Sequence, residues 1–486
     1  MKALNRRQFL KAGTLTAASL SIPARSWGQV EGSNNAIRAA VIGFNGRGAN
    51  HIEGLTKLGK SVRIVALCDV DQHVLDGGVA SLARRDVKVE PYTDIRKLLE
   101  NKDIDVVTIA TPNHWHALAA IWSVQAGKDV YVEKPVSHNV SEGRRILEAA
   151  RKYNRIVQTG TQSRSSTGLH EAVEWVRAAN LGKIILARGL CYKRRPSIGK
   201  VSAAQPIPAS VDYDLWCGPA PKEELMRKRL HYDWHWVWHT GNGDLGNQGI
   251  HEMDKARWFL GEQALSPRIF SIGGRFGYVD DGQTPNTMIV YHAYEKAPLI
   301  FEVRGLPTKA GAPDKDMDKL KGASVGNIVE CEGGYVVIPN YTTAIVYDKD
   351  GTETKRFKGR PDDTGHYENF IKAVRSRRHE DLNADISEGH LSSALCHTGN
   401  ISYRLGLKKS SDEIREAIKG DHDATETFGR MAEHLQLNEV DLAKDNAALG
   451  EMLKMDPAKE TFPGNHAANK YLTRDYRKPF VVPEKV

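Results

Sequence analysis

A run of polar and aromatic residues follows the Gly-rich turn at 241–243, spaced three or four positions apart. Its members are Asp244, Asn247, His251, Asp254 and Trp258. On a helix that begins near Gly243, this spacing places all of them on one face. Helices usually turn an apolar stripe toward the core, whereas this face carries amide, imidazole and carboxylate groups that need partners. The pattern therefore favours a polar pocket; the alternative for Asp244 is that it only caps the helix.

The preceding stretch WHWVWH (234–239) has three tryptophans at alternate positions. In a β-strand, Trp234, Trp236 and Trp238 would share one side, with His235 and His239 on the other. Aromatic rings stack on the apolar faces of sugars, while amides and carboxylates bind sugar hydroxyls. Beside the polar helix face, these rings indicate a carbohydrate-sized pocket; the simpler alternative is an aromatic core.

The segment VEKP (132–135), at the end of a predicted strand, contains a lysine that is a candidate catalytic residue. Lys134, between Glu133 and Pro135, could act there as a charge donor or in proton transfer. The segment TPNHWHA (111–117) ends the preceding strand of the same predicted sheet. Doubly wound sheets bind ligands at the carboxyl ends of their strands, so both segments are candidates for one site. On position alone, the default interpretation of Lys134 is a solvated surface lysine.

The turn GFNGRG (43–48) follows a strand and opens a helix, as a dinucleotide-binding turn does. Asn45 replaces the second glycine of the usual pattern and is the residue that best tolerates a positive φ after glycine. Asp69 ends the second strand, where a carboxylate accepts hydrogen bonds from ribose hydroxyls and repels a 2′-phosphate. The sequence thus predicts NAD rather than NADP; a flavin or metabolite domain is the alternative.

The hydrophobic pattern predicts the strands and helices that carry these residues. Strands alternate with helices up to about residue 160, which predicts an α/β fold with a parallel, doubly wound sheet. Beyond it, strand-like runs separated by turns predict a second α/β domain with a large, mostly antiparallel open sheet. We expect a signal peptide at 1–27, an NAD-binding Rossmann domain at 36–160, an α/β domain at 161–420 and a helical extension at 421–486.

Composition excludes several classes of protein. Of the formal net charge of +8, five positive charges lie in the first 25 residues, and no Lys/Arg block occurs elsewhere. This argues against nucleic-acid partners and a stable membrane anchor. The five cysteines lack C-x-x-C spacing, so no metal site is predicted, and no disulfide can be assigned.

The N-terminus predicts export. Arg6-Arg7 with Phe9-Leu10-Lys11 precedes a short apolar stretch and small residues, and resembles a twin-arginine signal. A chance basic amphipathic helix is the alternative. The mature protein is expected to be periplasmic, delivered by the twin-arginine export machinery, which carries folded proteins.

Together, GFNGRG, the acid-ended second strand, TPNHWH, EKP and GNGDLGNQGIHEMD resemble the Gfo/Idh/MocA oxidoreductase family over about residues 36–410. The resemblance implies a Rossmann domain joined to an α/β domain whose open sheet often mediates oligomers, here a dimer or tetramer. It also implies NAD(P)-dependent oxidation or reduction of a sugar or polyol carbon. In the family, the residue matching Lys134 contacts nicotinamide and substrate, the one matching His251 contacts the reacting hydroxyl, and Gln162 lies near the nicotinamide.

The candidate residues fall into three sets. The catalytic candidates are Lys134 and His251. The cofactor-binding candidates are Gly43, Asn45, Gly46, Arg47, Gly48, Asp69, Thr111, Pro112, Asn113, His116, Glu133, Lys134 and Gln162. The substrate-binding candidates are Asn247, Asp244, Asp254, Trp236, Trp234, Tyr192 and Arg195.

One departure from the family changes the expected chemistry. Many members carry an aspartate four residues before the histidine, and this chain has Asn247, which takes no proton at ordinary pH. The base must then be Lys134, His251 or a displaced acid such as Asp244. This puts simple polyol dehydrogenation in question.

Export is a second argument against simple polyol dehydrogenation, because free NAD is not expected to be replenished outside the cytoplasm. A tightly bound NAD in a redox-neutral cycle avoids this problem. Two outcomes are open: an oxidoreductase acting on a sugar, polyol or glycoside, and a glycoside hydrolase that works through transient oxidation at C3 and elimination, as in glycoside hydrolase family 109. A non-catalytic sugar- or nucleotide-binding protein would not need Lys134 and His251 together.

Overall fold

The computed structural model describes residues 35–360 and 363–486. The predicted signal peptide at 1–27, with Arg6 and Arg7, lies outside the described residues. No helix in the described part of the chain combines the length and apolar character needed to cross a bilayer. All five cysteines are buried and free.

The first domain is built on a six-stranded parallel sheet in the order β3-β2-β1-β4-β5-β6. Its strands are β1 (Ile37–Ile42), β2 (Val62–Cys68), β3 (Glu90–Tyr92), β4 (Val106–Ile109), β5 (Asp129–Val132) and β6 (Val157–Thr159). The strand order reverses between β1 and β4, which opens a crevice at the carboxyl ends of these strands. The predicted Rossmann sheet is confirmed.

Helices cover both faces of this sheet, because alternate residues of the buried strands point to opposite sides. They are α1 (Arg47–Lys57), α2 (Gln72–Ala83), α3 (Ile95–Glu100), α4 (Asn113–Gln125) and α5 (Val140–Lys152). In β1, Ala39 and Val41 pack toward α1 and α2, while Ala40 and Ile42 pack toward α3, α4 and α5.

The second domain contains a sheet of eleven strands, all antiparallel to their neighbours except the parallel pair β7 and β10. Its strands are β7 (Ile184–Tyr192), β8 (Arg268–Gly274), β9 (Thr287–His292), β10 (Leu299–Arg304), β11 (Val325–Cys331), β12 (Gly334–Ile338), β13 (Thr343–Asp348), β14 (Glu353–Lys358), β15 (Leu407–Lys409), β16 (Ala447–Leu449) and β17 (Leu453–Lys454). The mostly antiparallel sheet is confirmed. The sequence patterns did not reveal β14 to β17, which are short or carry exposed side chains.

The remaining helices pack on the two faces of this sheet and on the first domain. They are α6 (Thr167–Arg177), α7 (Tyr213–Cys217), α8 (Ile250–Leu260), α9 (Thr364–Ser376), α10 (Ile386–Leu405), α11 (Ser411–Ile418), α12 (His422–Leu437) and α13 (His466–Lys470). Helix α9 returns to the first domain, where Tyr367 and Phe370 join the core beside α1.

Two helices cover the outer face of the second domain's sheet over β8 to β10. Ile414 and Ile418 of α11 and Phe428 and Met431 of α12 pack on this face as one apolar cluster with the strands. Beyond α12 the chain is helical only in α13 among the described residues. The predicted homo-oligomer stays a prediction.

The stretch at 234–238 is not a strand. The prediction that its three tryptophans share one side of a strand is therefore wrong. Residues Asp233–Trp236 form a 3₁₀ turn, so Trp236 is buried beneath Arg195 while Trp234 and His235 reach a cavity. The next helix is also irregular, since Leu245–Gly249 form a π-helical turn before α8. That turn breaks the single polar face expected from the spacing.

Candidate active site

A cavity of about 570 Å³ lies where the carboxyl ends of β1, β2, β4 and β5 meet the second domain. The second domain contributes the loop around His231 to His235, together with Asn247, Gln248, His251 and Tyr341. The cavity is lined by fifteen of the predicted candidates: Gly43, Asn45, Gly46, Arg47, Asp69, Thr111, Pro112, Asn113, His116, Glu133, Lys134, Gln162, Trp234, Asn247 and His251.

The glycine turn is shaped so that no side chain fills the space before α1. Gly43 has a φ of +74°, and a Cβ there would lie 2.9 Å from Thr111. A Cβ on Gly48 would come within 2.0 Å of the Gly43 carbonyl oxygen, whereas Gly46 faces open space. The positive φ of this turn is thus at Gly43 and not at Asn45. Exposed N–H groups at a helix start suit a pyrophosphate.

Asp69 is held rigidly at the cavity edge. Its Oδ2 accepts the Phe44 N–H at 3.0 Å and its Oδ1 accepts the Asp71 N–H at 3.0 Å. Burial raises the pKa of this carboxyl, and the two backbone N–H groups act against that rise. The remaining lone pairs suit two ribose hydroxyls, so the turn and Asp69 together fit a dinucleotide.

Glu133 is a buried carboxylate that contacts three side chains on the Rossmann side of the cavity. Its Oε1 accepts hydrogen bonds from Arg47 Nε (2.9 Å) and Gln162 Nε2 (3.3 Å), and lies 3.1 Å from His51 Nε2. Burial alone would raise its pKa, but Arg47 and His51 bring it well below its usual range. Arg47 also pairs with Asp363 at 2.8 Å, which links α1 to the start of α9.

In the segment after β4, the side chains of Asn113 and His116 form hydrogen bonds within the cavity wall. His116 lies between two carbonyl oxygens, Nδ1 at 2.6 Å from Pro135 and Nε2 at 2.7 Å from Thr111. Asn113 donates to the Asn242 side chain at 3.0 Å. These bonds fix the ends of β4 and β5 relative to each other and to the second domain.

Lys134 extends from the end of β5 to the π-helical turn. Its Nζ donates to the backbone carbonyl oxygen of Asn247 at 2.7 Å, so the main chain, rather than a carboxylate, holds the amine. Burial lowers the pKa of Lys134, while Glu133 partly restores it. The remaining donors of this group are available to a ligand oxygen.

His251 is a neutral imidazole beside this amine. Burial, followed by the charge of Lys134, brings its pKa well below the ordinary value. Its ring packs against Tyr341 with centroids 4.9 Å apart, and no hydrogen bond joins it to another described residue. A neutral ring nitrogen next to an ammonium group can exchange a proton or a hydrogen bond with a substrate hydroxyl.

Several predicted substrate-binding residues lie outside the cavity, where their side chains form buried ion pairs or hydrogen bonds with other residues. Asp244 accepts from Arg195 Nε at 2.8 Å and makes no side-chain cap, which also excludes its alternative role as the helix cap. Asp254 accepts from Arg164 Nε at 2.9 Å and from Ser392 Oγ at 2.7 Å. Tyr192 donates to Glu302 at 2.7 Å, away from the cavity.

The cavity also contains residues that were not predicted. These are chiefly His231, Tyr232, His235, Gln248, Tyr341 and Asp363. The first three lie in or beside the aromatic stretch, but the strand interpretation turned His235 away from the tryptophans. For Tyr341 and Asp363 the sequence carries no local signal, since they are brought in by β12 and α9.

Both domains contain a segment that matches a known family model. Residues 37–161 match the model described as "Oxidoreductase family, NAD-binding Rossmann fold" of GFO_IDH_MocA. Residues 183–297 match the "C-terminal alpha/beta domain" of the same family.

Curated relatives match mainly in the first part of the chain. An inositol 2-dehydrogenase of Salmonella typhimurium is 28% identical over 157 residues, which cover 32% of this chain and 46% of that protein. An alpha-N-acetylgalactosaminidase of Shewanella oneidensis is 33% identical over 175 residues, covering 31% of this chain and 38% of that protein. The chain thus spans less than half the length of the curated relatives it matches.

Solved structures share the fold at low sequence identity. The WlbA dehydrogenase from Bordetella pertussis, in complex with NADH and UDP-GlcNAcA, has a TM-score of 0.55 and 19% identity, covering 74% of this chain and 94% of that one. A levoglucosan dehydrogenase in complex with NADH and levoglucosan has a TM-score of 0.55 and 16% identity, covering 74% and 95%. These structures show the shared fold, and the two domain matches show similarity to the Gfo/Idh/MocA family of NAD-binding oxidoreductases over residues 37–161 and 183–297.

Proposed function

We propose that this protein is an exported oxidoreductase that acts on a sugar, polyol or glycoside with a tightly bound NAD. The observation that carries the proposal is the meeting of Lys134 and His251 in one cavity, at the carboxyl edge of the NAD-binding sheet. A binding protein without catalysis would have no need for a buried amine and a neutral imidazole at this place.

The cavity residues suit oxidation and reduction of a carbinol. When NAD is bound, its nicotinamide ring takes up and returns hydride. The Lys134 ammonium group stabilises negative charge on the substrate oxygen, and a neutral imidazole accepts or returns the hydroxyl proton. Trp234, on the cavity wall, offers an aromatic face to a sugar ring.

A second candidate is glycoside cleavage through transient oxidation at C3. It is favoured by the similarity to the Shewanella alpha-N-acetylgalactosaminidase and to glycosyl hydrolase family 109 proteins. It also agrees with a tightly bound NAD, since hydride returns at the end of each cycle. Reaction products separate the two candidates, because only this one releases the aglycone.

The proposal is tested on the purified full-length mature protein. We expect denaturation to release NAD, and added sugars or glycosides to reduce bound NAD or to yield products. Lys134→Met and His251→Ala should lower turnover by roughly 10²–10⁴-fold while NAD stays bound. Lys128 is a matched control, because it is a buried amine held by the Asn101 and Ile104 carbonyls at the other end of the same strand.

Two results would contradict the proposal. The first is turnover in the Lys134 and His251 variants equal to that of Lys128→Met. The second is binding of sugars by wild-type protein with no change in bound NAD and no product, which would indicate a binding protein.

We propose export by the twin-arginine route on the basis of Arg6-Arg7 and Phe9-Leu10-Lys11. Replacing both arginines by lysine should leave precursor in the cytoplasm, measured by fractionation and immunoblotting. Changing Lys2 to arginine and Arg25 to lysine is the matched control, since it alters charged residues of the same segment and keeps both the arginine pair and Phe9-Leu10-Lys11. Undiminished export of the Arg6→Lys, Arg7→Lys protein would exclude this route.

A further inference from the structure

The cavity contains a second neutral imidazole, His235, whose orientation is fixed more firmly than that of His251. Its Nδ1 lies 2.5 Å from the Tyr232 carbonyl oxygen. Its ring stacks on the Trp234 indole with centroids 3.6 Å apart and an interplanar angle of 21°. A bond on one ring atom and a stacked neighbour on one face leave this side chain little freedom to rotate.

The backbone that supplies this carbonyl is strained. Tyr232 has φ +68° and ψ −51°, which is the rare γ-turn conformation for a residue other than glycine. The turn is closed by the Asp233 N–H, which donates to the His231 carbonyl at 2.9 Å. It points the Tyr232 carbonyl at both the His235 backbone N–H (3.1 Å) and Nδ1. Strained backbone of this kind is concentrated at functional sites.

These contacts determine which ring nitrogen carries the proton. A carbonyl oxygen only accepts hydrogen bonds, so Nδ1 of His235 must be the protonated nitrogen. In the neutral ring, Nε2 then bears the lone pair. Nε2 is bonded to no described residue and is not sealed from solvent, and the ring lines the cavity. Burial lowers the pKa of His235, and the Lys134 charge acts in the same direction.

We propose that Nε2 of His235 is the proton acceptor for the substrate hydroxyl. This inference rests on the proposed oxidoreductase function. In the step, the hydroxyl O–H bond breaks, the proton binds Nε2, and the O–H electron pair stays on the oxygen, where Lys134 stabilises it. The imidazolium is held by the Tyr232 carbonyl at Nδ1. In the reverse direction the same Nε2–H returns the proton.

The other candidate bases are less suited to this role, and one of them, Asp244, does not line the cavity. Asp244 is paired with Arg195, and the Lys134 amine serves the substrate oxygen better as a cation. His251 has no hydrogen bond to a described residue that fixes its tautomer. We therefore assign His251 to hydrogen bonding with the reacting hydroxyl and His235 to proton transfer. In this assignment His235 takes the role of base that an aspartate at position 247 would otherwise have.

Chemical rescue distinguishes the two histidines. His235→Ala should lower kcat by roughly 10²–10⁴-fold, and added imidazole should restore part of the activity by occupying the vacated space. His235→Asn keeps a donor near the Nδ1 position without the Nε2 lone pair, so we expect the same loss of kcat with KM within about threefold. His251→Ala should lose activity without rescue. His239→Ala is the control in the same stretch, because His239 is exposed and does not line this cavity.

A second measurement does not depend on turnover. Nitrogen-15 NMR of the histidine rings, assigned by difference from His235→Asn, should show His235 protonated at Nδ1 and unprotonated at Nε2 near neutral pH. Wild-type activity of His235→Asn, rescue of His251→Ala alone, or protonation at Nε2 would each overturn the inference and leave the oxidoreductase function standing. If the wild-type protein converts no sugar or glycoside, the proposed function fails and this inference fails with it.

Discussion

At the residue scale, the charged and the neutral groups of the cavity have different electrostatic surroundings. Glu133 is kept ionised by Arg47 and His51, whereas His251 is kept neutral by burial and by Lys134. Groups whose pKa values are pushed apart in this way can take different roles in one site: Glu133 holds a negative charge, and the neutral His251 ring can form a hydrogen bond with a substrate hydroxyl. Asp69 differs from both, because burial raises its pKa against two backbone N–H groups, and its position at the end of β2 gives a direct test of cofactor choice.

Replacing Asp69 by Asn should relax discrimination against NADP. The amide keeps one acceptor for the Phe44 N–H but removes the charge that repels a 2′-phosphate and one bond to the ribose. We expect NAD binding to weaken by about 1–3 kcal/mol, roughly ten- to hundredfold in Kd. Calorimetric titration of nucleotide-free protein with NAD and NADP measures both effects. Asp94→Asn, which alters a helix-capping carboxylate that also lines the cavity, is the control. Tighter binding of NADP than of NAD by wild-type protein would contradict the role of Asp69.

The residues that sequence reasoning placed correctly share a simple property. Gly43, Asp69, Thr111 and Lys134 follow strands directly, so local pattern and sheet topology together bring them to one edge. Asp244 and Asp254 were misplaced because their partners are distant in sequence, Arg195 by 49 positions and Arg164 by 90. No local pattern indicates that a carboxylate is already paired.

At the scale of elements, the aromatic stretch shows how periodicity can mislead. Alternate tryptophans satisfy the period of a strand, but the γ-turn at Tyr232 and the Arg229–Asp233 ion pair start a 3₁₀ turn instead. The π-helical turn at Leu245–Gly249 has a similar effect, since it rotates Asn247 and His251 into the cavity and leaves Asp244 and Asp254 outside. The parallel strands were predictable because buried apolar runs leave few alternatives.

The C-terminal segment is another element whose role comes from tertiary packing. Phe480 is 1% exposed and lies edge-on to Trp115, with centroids 5.5 Å apart, in the core beneath α4. Trp115 in turn lines the cavity and donates to the Leu215 carbonyl at 2.9 Å. The end of the chain therefore supports one wall of the site from behind.

Phe480→Ala should destabilise this wall. Removing a buried phenyl ring costs about 3–5 kcal/mol, and we expect a lower Tm together with faster release of bound NAD. Val481→Ala is the matched control, because Val481 is its neighbour and is 41% exposed. Calorimetry and nucleotide release from both variants measure the effects. Equal Tm values for the two variants would show that the tail does not support the first domain.

At the scale of the whole molecule, folding buries many neutral histidines. Burial lowers the pKa of His114, His292 and His397 to about 3, well under the value of about 6.5 in an unfolded chain. Below about pH 6.5 the unfolded chain binds protons that the folded protein does not. Each such group therefore contributes stability that is fully present above that pH and is lost as the pH falls toward 3, by about 1.4 kcal/mol per pH unit.

His292 offers the clearest test of this linkage. It is fully buried in β9, and neither of its ring nitrogens has a hydrogen-bond partner in the part of the chain that the structure describes. His292→Leu should stabilise the protein by roughly 2 kcal/mol more at pH 5 than at pH 7.5, because the leucine variant has no proton to gain on unfolding. His422→Leu is the control, since the His422 side chain is 93% exposed. Calorimetric unfolding of wild type and both variants across this range gives the comparison. A stability difference for His292→Leu that stays constant with pH would mean that the imidazole is not held neutral in the folded protein.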